Sequence, residues 1–456
     1  MDYSNNFGIS WTCNFKTKIK MLSNNILKNK NFLIYGLGVT GRSVYYFFKR
    51  SNIKNIFLWD DDQDLRKKFK IKSNSIDFKK KINRADFIIL SPGINLRKSK
   101  YKKILLKNQS KFITDIDLFF LTQSFSKSIV VTGTNGKSTT CSVIEKVFKK
   151  SGYKTIAVGN IGKPILDYSF KKNSIVVIEM SSFQLQYSQF IKPDYAILLN
   201  ISKDHLDWHG SMRNYIASKF KIFKRQKKKN NAYIFNSKKF INFYKRKNFK
   251  GRLFIINKNI GKFIHKNLNN RYLSSNNNIQ NLSFIYLLIK DFRISDKIFF
   301  SSLKSFRGLP HRQEIFYKKN KIFFINDSKA TSFESAKECL TTHHNIFWIL
   351  GGLKKDGDKF FLNKIKKNII KAFIIGKDTI FFKKQLNGKI PYEETFTLKR
   401  TIISIYKKIK LYRKITNKDF FVILSPASAS YDQFQNFEQR GNQFKKLTIS
   451  YARKYF

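Results

Sequence analysis

The chain has 456 residues; 90 are Lys or Arg and 29 are Asp or Glu, a net charge of +61, and 42% are hydrophobic, with 47 Phe and 21 Tyr. That length exceeds one ordinary core and predicts several domains, while the apolar share is ample for packed cores, which excludes disorder as the default. No run approaches the roughly 18 apolar residues of a membrane span, and Cys13, Cys141 and Cys339 are too few and too scattered for a disulfide framework or a zinc site.

The charge alone does not point to nucleic acid. Lysine travels with Asn, Ile, Phe and Tyr throughout, as A- and T-rich codons would give, whereas a binding surface would gather charge on one element. No specific nucleic-acid partner is expected, and a start without a basic region followed by an apolar one predicts a cytoplasmic protein. The polar segment before Met21 reads as a flexible extension, with Met21 as a second candidate start.

Strands then alternate with helical segments in three blocks, the pattern of parallel sheets with crossover helices. The expected fold class is α/β with three domains. These are an N-terminal Rossmann-like nucleotide-binding domain over 1–125, a central P-loop ATPase-type domain with a parallel sheet over 126–308, and a C-terminal Rossmann-like domain over 309–456.

In the first block Asn31–Tyr35 reads as a strand, Gly36-Leu37-Gly38-Val39-Thr40-Gly41 turns into a helix, and Ile56–Asp60 is the second strand. Glycine amides and a helix N-terminus recognise a pyrophosphate, and an acid about 20 residues on, here Asp60, suits a ribose; which nucleotide is bound stays open. Gly38, Val39 and Thr40 are candidate ligand contacts. A later strand, Asp86–Leu90, ends in Ser91-Pro92-Gly93 at a place where open α/β sheets receive ligands, which adds Ser91.

The second block opens with Val130–Thr140, a buried strand running through Gly133-Thr134-Asn135-Gly136 into a helix that begins Lys137-Ser138-Thr139. This is a phosphate cradle: the glycines let amides approach an anion, Lys137 adds charge, and the Ser138 hydroxyl can face Mg2+. Val131 stands where the general P-loop pattern has its first glycine. Downstream come the tight loop Gly159-Asn160-Ile161-Gly162, the apolar strand Ile175–Glu179 and the strand Tyr195–Ser202, followed by Lys203-Asp204-His205-Leu206-Asp207. Glu179 at a strand end beside a phosphate loop is well placed for a divalent cation, and His205 follows a neighbouring strand end.

The third block opens with the hinge-like turn Phe306–Arg312 and continues with the strand Ile322–Ile325 and the polar turn Asn326-Asp327-Ser328-Lys329-Ala330-Thr331. Another strand runs into Gly351-Gly352-Leu353-Lys354-Lys355, and a long motif spans Leu424–Gly441. Arg312, a planar cation that is always charged, suits phosphate.

These residues resemble the Mur ligases from about Phe32 to the end, interrupted only by the lysine-rich stretch near 225–265. The short G-T-N-G-K-S-T loop is shared with the folylpolyglutamate synthases, but the motifs G-N-I-G (Gly159–Gly162), E-x-S-S-F-Q-L (Glu179–Leu185) and D-H-x-D (Asp204–Asp207) follow in Mur ligase order. The stretch Leu424-Ser425-Pro426-Ala427-Ser428-Ala429-Ser430-Tyr431-Asp432-Gln433-Phe434 through Phe437 and Gly441 is similar to the branch that adds D-glutamate.

The resemblance implies that Ser138, Glu179, His205 and Lys219 form the magnesium site, with Lys219 carbamylated, and that Asn160 contacts substrate. It implies that Asn278, Asn281, Arg312 and Asp327 contact ATP, that Lys329, Thr331 and Lys355 face the incoming amino acid, and that Ser430 and Phe437 hold its side-chain carboxylate. Lys137, His205, Lys219 and Lys329 become the catalytic set.

The implied activity is ATP-dependent addition of D-glutamate to UDP-N-acetylmuramoyl-L-alanine through an acyl phosphate, in peptidoglycan precursor synthesis, by a monomer that closes around three substrates. Two departures stand out: Asn277 replaces the histidine of an H-N-x-x-N motif, and Asp61-Asp62 replace a threonine-arginine pair near the uridine, an acidic pair that predicts weaker uridine recognition. The rival readings are a folate-type polyglutamate ligase and a basic nucleic-acid-binding descendant without activity.

Overall fold

The structure, a computed structural model, describes residues 27–71, 75–354 and 358–455. The segment before Met21 and Lys355 lie outside the described residues. The first of three sheets contains β1 (Phe32–Tyr35), β2 (Ile56–Trp59), β3 (Phe87–Leu90) and β4 (Phe112–Ile113), all parallel, in the order β2-β1-β3-β4.

The second holds β5 (Lys127–Thr132), β6 (Thr155–Gly159), β7 (Ile175–Glu179), β8 (Tyr195–Leu198), β9 (Asn231–Phe235) and β10 (Arg252–Ile256). It too is wholly parallel, ordered β10-β9-β8-β5-β7-β6. The third consists of β11 (Glu314–Lys319), β12 (Ile322–Asn326), β13 (Ile346–Gly351), β14 (Ile369–Ile375), β15 (Tyr392–Phe396) and β16 (Phe420–Leu424), ordered β11-β12-β16-β13-β14-β15, with only β11 antiparallel.

The central strands read as apolar runs because helices cover both faces of a parallel sheet. β5, β7, β12, β13 and β16 are buried along nearly their whole length. The lysine-rich stretch near 225–265 is folded: β9 and β10 extend the second sheet, and the helices Lys238–Arg246 and Lys258–Asn267 follow them. Those helices set apolar residues such as Tyr244 and Ile264 inward and leave lysines in water, so drift in their exposed positions costs the fold little.

The chain divides into two compact units, one reaching to Asn269 and including Asn276–Lys304, the other made of Asn270–Ser275 and Ser305 onward. Within the first unit the two sheets share a core in which Phe32 and Ile89 belong to the same cluster as Val130 and Ile178. Polar contacts join them as well: Ser43 Oγ donates to Asp167 at 2.6 Å, Arg97 Nη1 to the His209 carbonyl at 3.2 Å, and the amides of Gln189 and Phe190 to Asp117 Oδ1 at 3.0 and 2.6 Å. Among the described residues no helix is long and apolar enough to cross a membrane.

Asp115 and Asp117 open the helix Asp115–Thr122 in this shared core, and burial pushes their carboxyls up to about 7 and about 6. A carboxyl whose folded pKa is raised contributes stability that is present below its unfolded value and is lost as pH rises through the folded value. Asp115→Asn is therefore expected to raise the melting temperature more at pH 8 than at pH 5, by about 2–4 °C for each kcal/mol of relief. A difference between variant and parent that does not change with pH would show that Asp115 is not the titrating group.

Candidate active site

The phosphate loop lies at the C-terminal end of β5, where the sheet's order reverses: β6 and β7 lie to one side of β5, and β8, β9 and β10 to the other. Strand ends at such a switch point leave a crevice. Gly136 caps the helix Lys137–Lys150 with φ of 83°, and a Cβ there would sit 2.0 Å from Asn281 Nδ2, so only glycine lets the loop turn against the helix Asn276–Asp291. Asn278 lies on that same helix three residues before Asn281, on an adjacent part of its surface. Asn200, just past β8, clamps the loop: its side chain accepts from the Asn135 amide at 2.9 Å and donates to the Asn135 carbonyl at 3.0 Å, while its carbonyl accepts from the Thr134 amide at 2.9 Å.

Two lysines converge on this loop. Lys137 Nζ donates to the carbonyls of Gly133 and Thr134 at 2.9 and 2.8 Å, and Lys219 Nζ to that of Gly133 at 2.7 Å. Lys219, from the helix Met212–Phe220, is 1% exposed and stands 4.7 Å from the Tyr215 ring centre. Burial, followed by the charge of Lys137, pushes its amine well below the usual lysine value. Tyr215 in turn hydrogen-bonds Thr134 Oγ1 at 2.9 Å.

At the foot of the loop the Ser138 hydroxyl donates to Glu179 Oε2 at 2.5 Å, and Asn160 Nδ2 donates to Glu179 Oε1 at 2.9 Å. Three strand ends, β5, β6 and β7, thus bring these residues to one carboxylate that is itself fully buried. Thr139 is also buried, in the first turn of the helix. His205, with φ of 52°, lies in the loop after β8, its ring nitrogen 3.3 Å from Asp204 Oδ2 and its ring against Phe183. Beside it His209 is held neutral, its pKa pushed down to about 4 by burial and then by the charge of His205, and its Nε2 lies 3.0 Å from Ser182 Oγ.

In the first sheet Gly38 and Val39 are exposed and Thr40 half-exposed at the start of the helix Val39–Arg50. Ser91 is turned inward and donates to the Gly36 carbonyl at 2.7 Å. Asp60, the ribose-holding candidate, has its carboxylate occupied: it accepts from the amides of Leu37 at 2.5 Å and Asp62 at 2.8 Å, tying the ends of β1 and β2 together. The acidic pair is likewise engaged, Asp61 by the Tyr35 hydroxyl at 2.6 Å and the Trp59 indole at 3.2 Å, and Asp62 as the cap of the helix Gln63–Lys68. Arg66, stacked on Trp59, donates to the carbonyls of Asp60 and Asp61 and so brings a cation beside the pair.

The second unit gathers its candidates at the ends of β12 and β16. Asp327 accepts from Ser425 Oγ at 2.7 Å and from the Gln313 amide at 3.2 Å; burial pushes its carboxyl up to about 7, opposed in part by Arg312. Lys329 Nζ stands 4.3 Å from the ring centre of Phe437, the first residue of the helix Phe437–Tyr455. Ser430 is buried and Thr331 exposed.

Residues 131–290 match the model of the Mur ligase middle domain. Over 452 residues the chain is 37% identical to the UDP-N-acetylmuramoylalanine–D-glutamate ligase of Buchnera aphidicola subsp. Schizaphis graminum, covering 92% of this chain and 98% of the relative. The chain belongs to the UDP-N-acetylmuramoylalanine–D-glutamate ligases. The family's enzyme from Rickettsia prowazekii is 34% identical, with 93% of this chain and 99% of the relative covered. Among solved structures, the MurF ligase of Thermotoga maritima in complex with ADP shares the fold, with a TM-score of 0.55 at 15% identity over 95% of this chain and 98% of that one.

Asn200, Tyr215, Arg66 and Arg440 stand out in the folded D-glutamate ligase, through the contacts described for Asn200, Tyr215 and Arg66 and through the burial of Arg440. Asn200 alone carried a signal, as a polar residue ending an apolar strand. The other three depend on contacts between elements remote in sequence.

Proposed function

We propose that the protein joins the amine of D-glutamate to the L-alanyl carboxylate of UDP-N-acetylmuramoyl-L-alanine at the expense of ATP, as a cytoplasmic monomer of three α/β domains. The observation that carries this reading is a phosphate loop with Ser138 and Glu179 in contact at its foot, in a chain similar over nearly its whole length to D-glutamate ligases. The D-glutamate ligase name of the relatives above favours this reading over the folate-type and nucleic-acid ones.

A carboxylate is a poor electrophile. One of its oxygens bonds to the γ-phosphorus of ATP while the bridge to the β-phosphate breaks, giving an acyl phosphate and ADP. The D-glutamate amine then attacks the acyl carbon, and the tetrahedral intermediate loses a proton and phosphate to leave the amide. Gly133, Thr134, Asn135, Gly136 and Thr139 cradle the phosphates, and Lys137 offsets charge on the transferring group. Asn278 and Asn281 serve the adenine side, and Arg312 and Asp327 complete ATP binding.

Magnesium fits the donor set at the foot of the loop. Among the described residues no three His, Cys, Asp or Glu side chains gather into a cluster of their own, and one hydroxyl with one carboxylate is what Mg2+ uses when phosphate oxygens and water supply the rest. Bound there by Ser138 and Glu179, with His205 as a further candidate ligand, the ion would supply charge to stabilise the phosphoryl group. Lys219, whose amine burial pushes well below the usual lysine value, can add carbon dioxide with loss of a proton and become an anion on the same site.

Gly38, Val39, Thr40 and Ser91 serve the uridine diphosphate, and Asn160 the muramoyl substrate. Since Asp61 and Asp62 are engaged within the protein and Arg66 stands beside them, their charge opposes the nucleotide less than the sequence suggests. Lys329, Thr331, Ser430 and Phe437 receive D-glutamate, with Lys355 as a further contact.

Phosphate release with ATP, magnesium and UDP-N-acetylmuramoyl-L-alanine tests this reading. It is expected with D-glutamate and not with L-glutamate; release with both, or with neither, would overturn it.

A further inference from the structure

Arg440 is 1% exposed, in the first turns of the helix Phe437–Tyr455, and among the described residues none of its hydrogen bonds goes to a carboxylate. Its Nε donates to Ser328 Oγ at 3.0 Å, and its Nη2 donates to the carbonyls of Ser328 and Ser428 at 2.9 and 3.1 Å. Among the described residues, Nη1 and the neighbouring Ser428 Oγ are buried without a hydrogen-bond partner. Arginine is seldom buried so completely unless an acid pairs with it. The one carboxylate that raises its pKa, Asp432, is turned to the Lys377 amide, and burial still pushes the guanidinium down to about 10.

The three contacts fall on the loops that follow β12 and β16. Ser328 immediately precedes Lys329, and its hydroxyl donates at 2.8 Å to the carbonyl of Phe437, over whose ring Lys329 lies. Ser428 is two residues before Ser430. A single guanidinium fork therefore fixes, through their backbones, the residues assigned above to the amino acid, and leaves beneath them a buried positive charge that Asp432 offsets only in part.

We propose that Arg440 is the positioning and specificity-determining residue of the amino-acid site: it sets the Ser328–Lys329 and Ser428–Ser430 loops, and its buried charge favours an amino acid with a second carboxylate. The inference rests on the proposed ligase reading. A buried charge acts at longer range than an exposed one, since little water screens it, so Arg440 need not touch the ligand to favour a dianionic side.

The test compares the parent with Arg440→Lys, Arg440→Gln and Ser328→Ala, measuring melting temperature, KM for ATP, and kcat/KM for D-glutamate against D-glutamine. Arg440→Gln is expected to raise KM for D-glutamate about tenfold or more and to reduce the preference for D-glutamate over D-glutamine, with KM for ATP little changed. Arg440→Lys keeps the charge but loses the fork, so it should retain most of that preference while binding both amino acids more weakly.

The inference is overturned if the preference is the same in the parent and Arg440→Gln, or if KM for ATP and D-glutamate rise together in proportion to lost stability. Should Arg440→Gln not fold, Ser328→Ala decides: a severalfold rise in KM for D-glutamate alone supports the role, and no change overturns it. Failure of the parent to use D-glutamate at all is a different result, which removes the ligase reading itself.

Discussion

Lys219→Met is expected to yield a protein that melts at a higher temperature than the native chain at neutral pH yet has lost ligase activity about a hundredfold or more. The stability gain follows from burial. Lys219 is enclosed, its amine donates to the Gly133 carbonyl, and burial with the charge of Lys137 outweighs the attraction of Asp204 and Glu179. Methionine fills a similar volume without an amine to desolvate. The Gly133 carbonyl is not orphaned, because Lys137 Nζ also donates to it.

The sign with pH is fixed by the depressed pKa. The unfolded chain binds a proton that the folded chain resists, so the penalty carried by Lys219 grows as pH falls below the free-lysine value of about 10.4 and fades as pH approaches it. The melting-temperature gain of Lys219→Met should shrink between pH 7 and pH 10 accordingly. Melting curves across that range together with phosphate release check both halves: full activity in the variant would remove Lys219 from the catalytic set, and a gain independent of pH would remove the electrostatic account.

Glu179→Gln is expected to leave the fold intact and lower product formation about a hundredfold to a thousandfold. Glutamine keeps the shape of the side chain and its carbonyl can still accept from Ser138 or Asn160, so the loss falls on the carboxylate's role toward a cation and the phosphates. Raising the magnesium concentration should recover part of the activity, because a weakened site is filled by mass action. Activity of the variant equal to the parent at every magnesium concentration would exclude Glu179 as a metal-site residue. Asn160→Ala makes a useful contrast, since it removes one donor to Glu179 without touching the charge.

The elements that were legible in the sequence are those whose signal is local. A parallel strand buried on both faces is an apolar run, and β1, β5, β7, β12 and β13 all stand within a few residues of where such runs were read. The phosphate loop was legible because the glycine at 136 serves a backbone with positive φ, and Lys137-Ser138 follow at the helix start. Glu179 and His205 could be selected because ligands gather where parallel strands end.

An α/β chain with a phosphate loop and the ordered motifs of a Mur ligase can be read from the residues alone, since strand burial, turn chemistry and motif spacing are written in neighbouring residues. Which side chains meet depends on how the folded chain packs. That Asp60 closes two strand ends, that Asp61 and Asp62 are occupied and offset by Arg66, and that Lys219 rather than any of its many basic neighbours is buried on the Gly133 carbonyl are all matters of packing. The buried Arg440, held by serine oxygens, is another. A lysine or arginine carries the same letter whether water surrounds it or the core does, and its chemistry is set by that difference in solvation.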